Sequence, residues 1–298
     1  MSKLTSALAA LMLSFASFVA QATGDTKAAD LLAQARAALG GEKQLAKVQG
    51  LSCAGTLQRL AGDRQIGGEL TLDLQLPDKM LRTESISPMG DSALVVSDQG
   101  VNGDILLRHT KTLNTPPGMI IRMPPPPAAG SDAETQALRN SRAEMARVTF
   151  ALLLSAPASM ALDFSYGGEA EAADGRADVI TVKGPSSFLA QMFLDKTTHR
   201  PLMLSYRGIA PQMRVQTVRG PAPAGAQPHP PGGEAATGAA EAPPLVDISM
   251  FLDDYQAVDG VMLPHHITRS IDGKTNEEWT FTSIKVNPAF KADTFSVK

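Results

Sequence analysis

The chain has 298 residues, of which 43% are hydrophobic and 19% charged, and 27 basic against 30 acidic side chains leave a formal net charge of -3. This composition is typical of a globular protein and excludes a basic nucleic-acid binder, so no nucleic-acid partner is expected. The single cysteine, Cys53, excludes an internal disulfide and a metal site built from several cysteines.

The first 22 residues have the pattern of a cleaved export signal. Lys3 supplies a positive charge, residues 4–19 contain an apolar stretch, and residues 20–22 (Ala-Gln-Ala) place small side chains where a signal peptidase cleaves. A transmembrane anchor is the alternative, but two serines interrupt the stretch and it is short for a bilayer of roughly 30 Å. We therefore predict cleavage after Ala22, no stable transmembrane anchor, and one periplasmic domain over residues 23–298.

Hydrophobic periodicity predicts a helix followed by many strands. Asp25 or Thr26 can cap an amphipathic helix that ends at Gly40. Strict alternation then takes over, most clearly in the apolar set Ile66, Leu70, Leu72, Leu74 and Leu76. Similar short patterns starting near Met160, Leu202 and Val261 are separated by turn residues. Roughly ten such strands would form a large antiparallel sheet that must curl.

Two segments interrupt the strand pattern. After a proline-rich stretch at 115–127, a helix is predicted from Ser131 or Asp132 to about Leu154, and its apolar C-terminal half must rest on the concave side of the sheet. Residues 220–244 contain 7 Pro, 5 Gly and 8 Ala among 25 residues, so we expect a disordered insertion between neighbouring strands. The predicted fold class is α+β and mainly β: an open half-barrel covered by an N-terminal helix and a lid helix.

The sequence offers no catalytic arrangement with a convincing spacing. It contains no His-Glu-x-x-His, no Gly-x-Ser-x-Gly and no glycine-rich phosphate loop. His265 and His266 are adjacent in a predicted strand, so their side chains point to opposite faces and cannot chelate one ion. We therefore predict no catalytic residue, no metal and no cofactor.

Methionine is plentiful, with 13 residues, and its flexible thioether suits a cavity for acyl chains, although ordinary core filling explains any single methionine equally well. The side chains predicted to line such a cavity are Leu70, Leu72, Leu74, Met80, Met145, Phe150, Leu162, Phe164, Leu202 and Leu204.

Several blocks of sequence, in their order and spacing, resemble the LolA/LolB-like superfamily of periplasmic lipoprotein and lipid carriers. The blocks are residues 37–41 (AALGG), 51–60, 76–82 (LPDKMLR), 194–202 (LDKTTHRPL), 254–264 (DYQAVDGVMLP) and 279–295. The resemblance implies an open antiparallel half-barrel with a helical lid over an apolar cavity. It also implies transport of a lipid or of the acyl chain of a lipoprotein, with Arg82 as the candidate for a lid-locking arginine.

Three functions remain open at this point. The favoured one is a monomeric periplasmic carrier or chaperone that shields an acyl chain, because burial of methylene groups alone supplies affinity. The alternative is a non-enzymatic envelope module for interaction or sensing, whose cavity is filled by its own helix and which recruits an envelope protein. The third is an enzyme whose active site is assembled only by the fold.

Overall fold

The structure is a computed structural model that describes residues 18–61, 64–87, 93–114, 119–122, 127–157, 160–172, 175–209, 216–219 and 244–296. Residues 1–17 of the predicted export signal and residues 220–243 of the predicted insertion lie outside this part of the chain.

The described residues form three helices and fourteen strands. The helices are α1 (Phe18–Ala38), α2 (Glu42–Leu45) and α3 (Asp132–Leu153). The strands are β1 (Gly50–Ala61), β2 (Arg64–Gln75), β3 (Lys79–Ile86), β4 (Leu94–Asn102), β5 (Ile105–Leu113), β6 (Met119–Arg122), β7 (Asp163–Ala172), β8 (Gly175–Gly184), β9 (Phe188–Asp195), β10 (Pro201–Ile209), β11 (Gln216–Arg219), β12 (Leu245–Val258), β13 (Val261–Ile271) and β14 (Lys274–Val286). Helix α1 begins at Phe18, before the predicted start at Asp25 or Thr26.

Twelve of the described strands form one antiparallel sheet in the order β5-β4-β3-β2-β1-β14-β13-β12-β10-β9-β8-β7. Each half of this order is a meander, and the two meanders meet where β1 pairs with β14. The sheet does not close, since β5 and β7 are its two edges. This confirms the predicted open half-barrel of the α+β class.

The path of the chain explains why a helix covers the half-barrel. Strand β5 lies at one edge and β7, the next strand of the large sheet along the chain, lies at the opposite edge. The connection must therefore cross from edge to edge, and it carries α3, which contacts β4 and β5 on one side and β9 and β10 on the other. Strands β6 and β11 form a separate two-stranded ribbon.

Helix α1 closes the interior from a second side. Its apolar positions are buried, as the periodicity predicts: Leu31, Leu32, Ala35 and Leu39. The end of the helix is held to the sheet because the amide of Met262 donates to the carbonyl of Leu39 at 3.0 Å. Gly40 has φ +117°, and a Cβ there would lie 2.3 Å from the carbonyl oxygen of Gly260, so this close approach requires glycine.

Candidate functional site

Helix α3 begins and ends where the sequence predicts. The Ser131 side chain accepts a hydrogen bond from the amide of Glu134 at 3.1 Å, and the Glu134 carboxylate accepts one from the amide of Gly130 at 2.6 Å. The first bond is the cap that a Ser-x-x-Glu sequence favours, and the second reaches the amide of Gly130, one residue before the N-cap Ser131. The helix ends at Leu154, which adopts the left-handed conformation with φ 49°.

The C-terminal half of α3 fills the concave side of the sheet. Its buried residues are Met145, Ala146, Val148, Thr149, Phe150, Ala151, Leu152 and Leu153. The ring of Phe150 stacks on that of Phe164 of β7, with 5.4 Å between centroids. The apolar half of the helix therefore occupies the interior that the sequence analysis assigned to a cavity.

Most of the predicted lining residues belong to the same buried core as this half of α3. Those buried in the common core are Leu70, Leu72, Leu74, Met80, Met145, Phe150 and Leu204, and Leu162 and Phe164 are partly buried against it. Leu202 is different, since its side chain is 39% exposed. The pairing of β9 with β10 shifts register so that Phe193 opposes Met203 while Leu194 opposes Pro201. Because of this irregularity, the side chain of Leu202 does not face the interior with the other predicted lining residues.

Beside the apolar region, five charged side chains of the sheet and two of α3 form what we call the arginine cluster. Its members are Arg59, Arg82, Arg147, Arg269, Glu84, Glu144 and Glu277. Buried charges of this kind are costly unless each has partners.

The sheet part of the cluster is a ring of four side chains. One Arg59 nitrogen lies 2.9 Å from Glu84 and 2.7 Å from Glu277. Arg82 lies 2.5 Å from Glu84 and also pairs with Glu277. Arg59 and Glu84 belong to strands on either side of β2, and Gly68 of β2 presents no side chain between them. The two charges can therefore meet across the intervening strand.

Glu144 links α3 directly to this ring. Its carboxylate lies 3.3 Å from the guanidinium of Arg269 and accepts a hydrogen bond from the Tyr206 hydroxyl at 3.3 Å. Arg269 in turn donates to the Tyr206 oxygen at 2.9 Å and stands opposite Glu277 in the β13–β14 pairing. The lid helix and the sheet thus share one network of charges.

The electrostatics keep both linking carboxylates ionised. Burial by itself raises the pKa of Glu277, but the nearby guanidinium groups, above all that of Arg82, outweigh burial and hold this pKa well below its usual range. For Glu144, burial raises the pKa and the charge of Arg269 lowers it, and the net effect is a lowered pKa. Burial, helped by the Glu144 charge, raises the pKa of Tyr206 to about 12, so this hydroxyl stays protonated.

Two further contacts tie α3 down. At its N-terminal half, Arg142 donates to the carbonyl of Gly103 at 3.1 Å and pairs with Asp104 in the β4–β5 turn. At its C-terminal end, Arg36 of α1 donates to the carbonyl of Leu154 at 3.0 Å. Each tie is polar and each lies at the rim of the apolar interior.

Arg82, the sequence-based candidate for a lid lock, pairs with two carboxylates of the sheet. Among the described contacts, the ion pair that joins α3 to the sheet interior is instead Glu144 with Arg269. The sequence analysis missed this pair together with Arg59, Arg147 and Glu277. A signal was present: in β3, Arg82 and Glu84 alternate in phase with the buried Met80 and Ile86, which places charges on the inner face.

A pocket of about 340 Å³ lies at the N-terminal half of α3. It is lined by Asp78, Gly103, Asp104, Arg142, Met145, Pro157 and Met160. This volume is at the lower end of the range of small-molecule sites, roughly 300 to 1,000 Å³. The pocket includes the Arg142 tie, so it lies where the rim of the lid meets two strand turns.

Other residues considered for chemistry have ordinary environments. His265 is buried, with Nδ1 3.2 Å from the carbonyl of Leu263, while His266 lies near the hydroxyls of Thr268 and Thr280. Burial raises the pKa of the Cys53 thiol to about 12, which leaves it inert at neutral pH. Within the residues that the structure describes, no cluster of metal-ligating side chains is present.

Comparison with known proteins shows likeness in structure at low sequence identity. A LolA superfamily protein from Nitrosomonas europaea is 8% identical with a TM-score of 0.44, and a DUF1329 family protein from Desulfovibrio piger is 8% identical with a TM-score of 0.45. An outer membrane lipoprotein-sorting domain from Vibrio parahaemolyticus, described as putative, is 9% identical with a TM-score of 0.43. Each match covers 91% of this chain and 97% of the other. No family model and no curated protein matches the chain.

Proposed function

We propose that this protein is a periplasmic carrier that shields an acyl chain of a lipid or lipoprotein beneath α3. The observation that carries the proposal is the position of α3. Its apolar half covers the concave face of a sheet that is not closed, and its ties to the sheet are few and polar. No helix within the described ranges is long and apolar enough to span a bilayer.

The proposed mechanism is an exchange of one apolar occupant for another. With α3 seated, Leu72 of the sheet and Phe150 of α3 are both buried in the same core. Displacement of α3 exposes this face, and an acyl chain that replaces the helix buries it again, at roughly 0.8 kcal/mol per methylene group. Opening therefore depends on breaking the ties at Arg142, Glu144 and Arg36.

The experiment measures uptake of a fluorescent fatty-acid probe by the wild type and by Arg142→Gln. We expect uptake in the variant to be several times faster, because the substitution removes the bond to Gly103 and the pair with Asp104. Arg139→Gln is the matched control, since Arg139 lies one turn earlier on α3 and bonds Gln136 of the same helix. Native mass spectrometry of the purified wild type tests for lipid that stays bound.

A second candidate function rests on the packing of the interior. With α3 seated, its buried apolar residues already fill the concave face, as a self-contained envelope module for interaction or sensing would require. Probe binding separates the two candidates. If neither the wild type nor Arg142→Gln takes up the probe and no lipid co-purifies, the carrier proposal fails and the self-filled module takes its place.

A further inference from the structure

The arginine cluster contains more positive than negative charge. Four guanidinium groups face three carboxylates, which leaves a surplus of one positive charge at neutral pH. All seven side chains are largely buried, and Glu144 is the most exposed at 27%. A surplus charge in such a place is costly unless an anion neutralises it.

Two hydrogen-bond donors without partners show where the surplus positive charge lies. The Nε atoms of Arg82 and Arg147 are buried and have no hydrogen-bond partner. Both guanidinium groups lie over aromatic rings: Arg82 is 4.5 Å from the Trp279 centroid, and Arg147 is 4.0 Å from that of Tyr206. Stacking of this kind fixes the planar group and leaves its edge donors free to bond an acceptor. The Arg82 donor belongs to strand β3 of the sheet, and the Arg147 donor belongs to α3.

Glu144 is itself an anion delivered by the lid. Its carboxylate is held by Arg269 at 3.3 Å and faces Arg147 at 3.8 Å. Glu144 and Arg147 both lie on α3, so both leave the interior when α3 does. The sheet keeps three guanidinium groups against the carboxylates of Glu84 and Glu277, which is still a surplus of one positive charge, and Arg269 and Arg82 lose an anionic neighbour. An incoming ligand that carries its own anionic oxygens would restore the balance, whereas a neutral ligand would not.

We propose that the cluster is the headgroup subsite for an anionic amphiphile, an acyl chain that ends in a carboxylate or a phosphate. This inference rests on the proposed carrier function and names the class of its ligand. The acyl chain takes the apolar region vacated by α3. The anionic oxygens accept hydrogen bonds from the Arg82 guanidinium group of the sheet and take the place of the Glu144 carboxylate beside Arg269.

The test compares three ligands with the same chain, each displacing a fluorescent fatty-acid probe at a pH where the acid is ionised. Dodecanoate and dodecyl phosphate carry an anionic group, and dodecanol does not. We expect the wild type to bind at least one anionic ligand about tenfold more tightly than dodecanol, as charge-assisted hydrogen bonds would provide. Tighter binding of dodecyl phosphate assigns a phospholipid-type headgroup, and tighter binding of dodecanoate assigns a free fatty acid.

Arg82→Gln then locates the subsite. Glu84 and Glu277 keep Arg59 as a partner and Glu144 keeps Arg269, so no carboxylate loses its last partner. We expect this variant to bind the anionic ligands and dodecanol with nearly equal affinity, with the affinity for dodecanol unchanged. Arg207→Gln is the matched control, because Arg207 follows Tyr206 on β10, faces outward and pairs with an exposed Asp247. This control keeps the wild-type ratio.

The outcomes separate the two proposals. If the wild type binds all three ligands equally well, the headgroup subsite is wrong while acyl-chain binding stands. If none of the three binds, the carrier function itself is wrong. The wild-type ratio needs no substitution and so decides the question even if Arg82→Gln does not fold. Inorganic phosphate that competes as strongly as dodecyl phosphate would also overturn the proposal, because it would show a site for a free anion.

Discussion

The concave face of the sheet has two regions that differ in how they hold α3. In the apolar region, side chains such as Leu72 and Phe150 contribute through burial, which has no preferred direction and tolerates replacement by another apolar group. In the arginine cluster, Glu144 and Arg269 contribute only when distance and orientation are met. The apolar region supplies most of the burial, while the cluster determines where along the sheet the helix sits.

This difference bears on how a lid can be both stable and removable. Apolar contacts between α3 and the sheet can be replaced by contacts with a ligand chain at little net cost. The charges of the cluster cannot be left behind without a partner, because the sheet side is buried. Opening of the lid is therefore tied to what happens at Glu144, and a ligand that satisfies the cluster favours the open arrangement.

The largest expected effect comes from placing a charge in the apolar region. Leu72 is 1% exposed, so Leu72→Asp buries a carboxylate among aliphatic side chains and should destabilise the protein by about 5 kcal/mol, enough to abolish folding in a marginal background. Urea unfolding followed by circular dichroism measures it. Leu189→Asp, at a side chain that is 53% exposed, should change stability by less than about 0.5 kcal/mol. Equal effects of the two would show that Leu72 is accessible to water.

A smaller loss is expected when the cluster loses one carboxylate. Glu277→Gln leaves Arg59 and Arg82 with only Glu84 as an ionised partner, and breaking a buried pair in this way costs about 3 to 5 kcal/mol. The free energy of unfolding in urea is again the measurement. Glu278→Gln, at the next residue on the opposite face of β14, is the control and should be nearly neutral. A neutral Glu277→Gln would mean that the ring of charges contributes nothing net.

The pH dependence of the free energy of unfolding should reflect the ionisation of the same carboxylate, Glu277. The pKa of Glu277 in the folded state lies below its usual value of 4.5, so its contribution to stability is fully present above pH 4.5 and is lost as the pH falls below that value toward the folded pKa. We expect the free energy of unfolding of the wild type to fall more steeply with acidification below pH 4.5 than that of Glu277→Gln. If the free energy of unfolding falls equally steeply below pH 4.5 for the wild type and for Glu277→Gln, the role given to Glu277 is wrong.

The smallest effect is expected from shortening the insertion that the sequence predicts at residues 220–244. Deleting residues 221–242 shortens the connection between β11 and β12 and removes almost no large apolar side chain. The change in loop-closure entropy corresponds to only about 1 kcal/mol, so the melting temperature should stay nearly unchanged. Differential scanning calorimetry tests this. A cooperative loss of folding on deletion would show that the segment belongs to the core.

Much of the fold followed from local pattern. The alternation of β2 and the start of α3 at Ser131 or Asp132 predicted these elements correctly, because side-chain direction in a strand and capping at a helix start depend on residues close in sequence. The apolar C-terminal half of α3 likewise predicted that the helix lies on the sheet. Placement of Leu202 was wrong, since its exposure depends on a register shift between β9 and β10 that neither strand reveals alone.

The sequence by itself determined the strand and helix periods, the inner face of most strands and the export-signal pattern, all of which are local properties. Only the tertiary structure decided the composition of the arginine cluster. Its members come from β1, β3, β13, β14 and α3, and Arg59 and Glu277 are 218 residues apart in the chain. The sequence does not reveal which distant charge a buried arginine or glutamate will pair with. The attraction between two charges depends on their separation in space and on the loss of water around both groups.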